Sequence, residues 1–181
     1  MTNGSREATQ LAKQAQKAYQ ENRLDDAILK FEAAKEIYQQ ESNALLAAEM
    51  GNNLCVVFLK AERPQEALKS VEGTPALFLE NGDEKGAGIA FGNLASALEA
   101  CGAFKEAEDA LHQAADRFRA QGEEELLLYT QRSLSQLQLR QGRALEAISS
   151  MQSGLEGQRK PGLKNRLLRS LFKIPSRLLN R

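Results

Sequence analysis

Apolar positions along this chain recur three and four residues apart. In Phe91 to Ala107, FGNLASALEACGAFKEA, the residues Phe91, Leu94, Ala95 and Leu98 share one side of a helix. Gly102 can take the left-handed conformation that ends a helix, and a second helix starts two or three residues later. The layout returns every forty residues. Ala27, Ala67, Ala107 and Ala147 each follow an acidic residue, and four residues further on stand Phe31, Val71, Leu111 and Met151. Thirteen residues before each alanine are Gln14, Leu54, Leu94 and Leu134, and twelve before are the small Ala15, Cys55, Ala95 and Ser135. The stop positions are Asn22, Glu62, Gly102 and Gly142, and Gly82, Gly122 and Gly162 fall between copies.

Such a register predicts four helical hairpins. Small residues at positions like Ala95 and Ala107 let two helices approach closely. One pair cannot bury its own apolar face, whereas stacked pairs build a continuous core. The first hairpin runs from about Ser5 to Gln40 with its turn at Asn22. Ser42 or Asn43 caps the next helix, whose apolar centre is Leu54 to Ala61. Pro64 suits the first turn of the following helix, and Gly73-Thr74-Pro75 predicts a break in it. The third hairpin follows Asp83, the fourth follows Gly122, and the last helix is expected to fade near Gly154 and Gly157.

The pattern resembles the tetratricopeptide repeat, whose usual period is thirty-four residues. The segment NLASALEACGAFKEAEDAL, Asn93 to Leu111, is similar to the longer repeats of kinesin light chains and related bacterial proteins. The resemblance covers roughly residues 5 to 158. It implies an all-α fold, a right-handed α-solenoid of four hairpins over residues 1–158, and a protein or peptide partner held in a groove lined by the first helix of each hairpin. The implied groove residues are Tyr19 in the first repeat; Asn52, Asn53, Val56, Leu59 and Lys60 in the second; Ile89, Asn93 and Ser96 in the third; and Tyr129, Arg132, Gln136 and Leu139 in the fourth. Asn53 and Asn93 hold equivalent positions, and an amide both donates and accepts, so the two could hold the backbone of an extended peptide. The resemblance stops short of the clamp that grips chaperone C-termini. Ala12 and Gln16 stand where that clamp needs lysine and asparagine, and Val56, Leu59, Ile89 and Leu139 favour a partly apolar ligand.

Composition sharpens this picture at three points. The net charge is zero, yet eight of the 24 basic residues and none of the 24 acidic ones lie from Arg159 on, which leaves an acidic body and a basic tail. The tail, 159–181, has an amphipathic pattern with Leu167, Leu171, Phe172, Ile174 and Leu178 on its apolar face. Three uses follow for it: covering the end of the last hairpin, lying on an anionic membrane, or docking on a partner, a second copy of this chain included. A nucleic-acid role lacks interleaved aromatics and is disfavoured. Secondly, no apolar run has the length of a membrane span, and MTNGSREATQ lacks the basic-then-apolar order of a signal peptide, so the expected location is the cytoplasm. Thirdly, Cys55 and Cys101 read as free thiols, because two cysteines make no framework.

Candidate chemistry is sparse. GAGIAFG, Gly86 to Gly92, is one residue off the dinucleotide fingerprint with no strand before it, and reads instead as small residues that let helices pack. His112 is the single histidine, so no metal cluster is expected, no cofactor is implied, and a non-enzymatic binding module is the leading expectation.

Overall fold

The computed structural model describes residues 3–156 together with Gly162, Asn165 and Leu168. The tail face expected at Leu167, Leu171, Phe172, Ile174 and Leu178 lies outside the described residues. Among the described residues the chain is all-α. Its helices are α1 (Asn3–Gln20), α2 (Leu24–Gln40), α3 (Ala44–Lys60), α4 (Pro64–Val71), α5 (Thr74–Glu80), α6 (Glu84–Ala100), α7 (Phe104–Gln121), α8 (Glu124–Arg140) and α9 (Ala144–Glu156). They fall into two compact units, Met1–Ala110 and Leu111–Arg181, with α7 passing from one to the other.

The turns share one construction. Asn22, Ser42, Glu62, Gly82, Gly102, Gly122 and Gly142 all have positive φ, at steps of twenty residues. After each, the next residue donates its N–H to a carbonyl five residues back: Arg63 to Phe58 at 2.9 Å and Ala103 to Leu98 at 2.9 Å are two of the set. This 6→1 bond satisfies a carbonyl that the helix end would otherwise orphan. At Glu62 the side chain makes the left-handed conformation costlier than it is for glycine. The Arg63 guanidinium lies 4.8 Å from the Phe58 ring centroid and covers that turn.

Helix starts vary more than helix ends. Asn43 and Asp83 cap through their side chains, accepting from the N–H of Leu46 at 3.1 Å and of Gly86 at 2.8 Å. Ser42 is the left-handed turn residue, so Asn43 has the capping role. Arg23, Arg63 and Arg143 take another course and pair with Asp26, Glu66 and Glu146 in the first turn of the following helix. Those carboxylates also sit at the positive end of the helix dipole. The hydrogen bond from Arg63 lowers the Glu66 pKa.

In the first unit α1 packs on α2, α2 on α3, and α3 on α4, α5 and α6. Ala8, Ala15, Ala18, Ala27 and Ala34 are fully buried at these contacts, with Phe31, Tyr38, Leu54 and Phe58 filling the flanks. The repeat anchors Ala27, Ala67, Ala107 and Ala147 are all buried. Larger side chains at such sites overpack, typically at a cost of about 1–3 kcal/mol. The expected break is present: Pro64–Glu80 occupies the seventeen positions that correspond to α2, and Gly73, at φ 77°, divides it into α4 and α5. In the second unit α8 packs on α9. The sequence predicts that the last helix fades near Gly154 and Gly157; α9 runs through Gly154 and is described as far as Glu156, next to Gly157. Gly154 is buried, and a Cβ there would stand 2.7 Å from the Gln131 Cβ. Its glycine serves close packing instead of helix termination. Gly86 answers to the same logic, since a Cβ would fall 2.6 Å from the Phe78 ring.

Candidate binding face

The first unit carries a cleft of about 510 Å³ between helices. Thr9, Ala12, Lys13, Gln16 and Tyr19 of α1 form one wall, and Leu46, Glu49, Met50, Asn53, Val56 and Val57 of α3 the other, with Phe31 and Tyr38 of α2 also lining it. The Thr9 hydroxyl and the Tyr38 phenol are 3.1 Å apart, which fixes the Tyr38 ring at the wall. The Lys60 amine sits 4.5 Å from the Tyr19 ring centroid and so ties the end of α3 to α1.

Of the residues implied for a groove, Tyr19, Asn53 and Val56 meet in this cleft, and Lys60 joins them through Tyr19. Leu59 is half-buried and packs on the core, which makes it more a wall than a contact. On α6, Ile89 is 41% exposed and the Ser96 hydroxyl is turned back to donate to the Gly92 carbonyl at 3.0 Å. The Asn93 carbonyl accepts the Cys55 thiol at 3.5 Å. Neither the Asn53 nor the Asn93 side-chain amide has a hydrogen-bond partner among the described residues, and both are half-buried. In the second unit α8 exposes Tyr129, Arg132, Gln136 and Leu139, with Tyr129 at 71% and Leu139 at 55%.

Asn52 differs from the expectation. It is buried at 7% exposure, and its amide meets the Thr74 hydroxyl at 3.1 Å. The Thr74 hydroxyl is the donor, its one proton facing two acceptors, Asn52 Oδ1 and the Val71 carbonyl at 2.8 Å. The side chain is thereby committed to the α3–α5 contact and is no part of the open face.

Cys55 and Cys101 are free, as expected. Burial pushes the Cys55 thiol up to about 12, which keeps it protonated and unreactive. His112 is exposed on α7. No metal-holding cluster of His, Cys, Asp and Glu occurs among the described residues. No helix among them is long and apolar enough to cross a membrane.

No protein-family model matches the chain, and no curated protein does. Solved structures match its fold. Against aspartyl phosphate phosphatase F of Bacillus subtilis the TM-score is 0.79 at 15% identity, covering 95% of this chain and 46% of that one. Against the apo form of RapI it is 0.76 at 14% identity, covering 100% of this chain and 50% of that one. This chain therefore spans about half the length of each. A Podosopora anserina putative kinesin light chain with nearly identical TPR-like repeats gives 0.77 at 18% identity, covering 95% of this chain and 84% of that one. The fold is the tetratricopeptide-like helical repeat, of the kind expected from the forty-residue spacing.

Proposed function

We propose that this chain is a non-enzymatic binding module that takes a segment of a partner protein against the open faces of α1, α3 and α6. The observation that carries the reading is the cleft between α1 and α3, where Tyr19 and Val56 offer apolar surface beside the unspent amide of Asn53. Apolar walls with a few polar groups suit a peptide whose side chains bury while its backbone finds a donor and an acceptor. Exposed Ile89 and the free Asn93 amide extend the same chemistry along α6.

The test is site-specific photo-crosslinking in cells of the source organism. A benzoylphenylalanine at Val56 is expected to capture a discrete partner, and one at Leu29, 66% exposed on α2, is not. Asn53→Ala with Val56→Arg should abolish that capture by a probe at Ile89 while leaving the melting temperature within a few degrees. Equal capture from Val56 and Leu29, or capture indifferent to the double substitution, would reject the face.

A further inference from the structure

A second cavity, of about 470 Å³, is lined by residues that the first does not touch: Lys35 and Gln39 of α2, Ser42, Ala44, Ala47 and Ala48 of α3 and its turn, and Ser70, Glu72, Thr74 and Leu77 from α4 and α5. Lys35 is half-buried there, and its amine has no hydrogen bond or ion pair among the described residues. Burial lowers its pKa, opposed by the charge of Glu32 on the same helix. A cation partly drawn out of water without a carboxylate in ion-pair contact is less favourable than a paired one, and an anion in the cavity would supply that contact.

The space has a cause in the sequence. Gly51, buried in the middle of α3, would place a Cβ 2.5 Å from the Ser70 carbonyl and 3.6 Å from the Lys35 amine. The corresponding positions forty residues before and eighty after are Leu11 and Gln131. Only a glycine leaves both the α3–α4 approach and the room that Lys35 occupies.

The walls select the ligand. The Ser70 hydroxyl donates to the Ala67 carbonyl at 2.7 Å and the Thr74 hydroxyl to the Val71 carbonyl, so neither donor is available. What remains to donate is the Lys35 amine, the Gln39 amide and the Ser42 hydroxyl, beside apolar Ala47, Ala48 and Leu77. One cation balances one negative charge, and Glu72 on the wall disfavours a dianion such as phosphate. We propose that this cavity binds a small organic carboxylate with an apolar body, the carboxylate on Lys35 and the apolar part on Ala47, Ala48 and Leu77.

The experiment is an NMR titration of the full chain with hexanoate, hexanamide and inorganic phosphate. Hexanoate should saturably shift the amide signals of Gln39, Ala47, Thr74 and Leu77, with hexanamide at least about tenfold weaker. Lys35→Met should weaken hexanoate by at least about tenfold and leave hexanamide unchanged. In the unmutated protein, the Lys35 side-chain carbon signal should report a pKa that rises when hexanoate is added, so the result does not depend on the variant folding. Absence of saturable shifts at those amides, equal binding of hexanoate and hexanamide, tighter binding of phosphate, or an unmoved Lys35 titration would overturn the proposal.

Discussion

The second hairpin, α3 with α4 and α5, and the fourth, α8 with α9, occupy the same repeat positions and solve the same packing problem with opposite choices. In the second the first helix is small at the contact, Gly51, and the partner position holds Thr74, whose methyl lies 3.4 Å from where a Gly51 Cβ would be. Eighty residues on, the first helix is large, Gln131, and the partner is the small Gly154. The buried faces differ too. Cys55 and Phe58 become Ser135 and Gln138, and the polar pair is fully employed: Ser135 donates to the Ala147 carbonyl at 2.8 Å and the Ser150 hydroxyl donates to Gln138 at 2.8 Å. A helical hairpin tolerates either polarity inside, provided that size is conserved across the contact and each polar group has a partner.

Breaking the size rule should have the largest effect. Gly51→Leu forces a side chain into the Ser70 carbonyl, a backbone atom that cannot step aside, and is expected to destabilise by about 3 kcal/mol or more in urea unfolding. Gly154→Leu meets Gln131 and Leu128 side chains and should cost less, about 1–3 kcal/mol. A reversed order would show that the reciprocal pairing does not govern the two contacts.

The polar exchange comes next. Ser135→Ala strands no donor but leaves the Ala147 carbonyl short of one bond, an expected loss of about 1 kcal/mol. At the equivalent Cys55 the consequence is one of pH. Its pKa is raised in the folded state, so the stability it contributes is whole below about 9, the ordinary thiol value, and is lost as pH rises towards about 12. Cys55→Ala should remove that alkaline decline in a pH series of melting curves. In the native protein at pH 8 a thiol reagent should modify half-exposed Cys101 and spare Cys55.

The smallest effect expected is at the turns. Glu62 and Gly142 are equivalent and both left-handed, at φ 58° and 75°. Glu62→Gly should stabilise by up to about 1 kcal/mol, and Gly142→Glu should destabilise by a similar amount. Equal and opposite shifts in unfolding midpoint would confirm that the backbone, not the side chain, decides these positions.

The hairpins were legible because their signals are local. Helix period, stop residues and the Gly73-Pro75 break all act within a few residues, so spacing alone located them. Long-range partners left no such trace. Asn52 is one residue from Asn53, yet it is committed to Thr74, which stands twenty-two positions away on another helix. Its register twin Arg132 is exposed. Gln131 and Gln138, 4% and 3% exposed, are polar residues whose burial nothing in the local sequence marks. The Lys35 cavity needs four helices to exist, and no single stretch announces it. Tyr38, Phe78 and Phe118 are all buried at forty-residue steps and stand eleven residues past the first three anchor alanines, a register the sequence already carries.

The even pacing of the left-handed turns restricts how such a chain can change length. One residue inserted within a helix would swing every later side chain of that helix by about 100°, carrying the buried alanines round to solvent. A whole forty-residue helix-turn-helix unit added or removed would leave the facing of the buried alanines within each remaining helix unchanged. Growth by complete forty-residue modules is therefore the path of least structural resistance, and a fractional edit would cost least at the interrupted slot at Gly73, between the end of α4 and the start of α5.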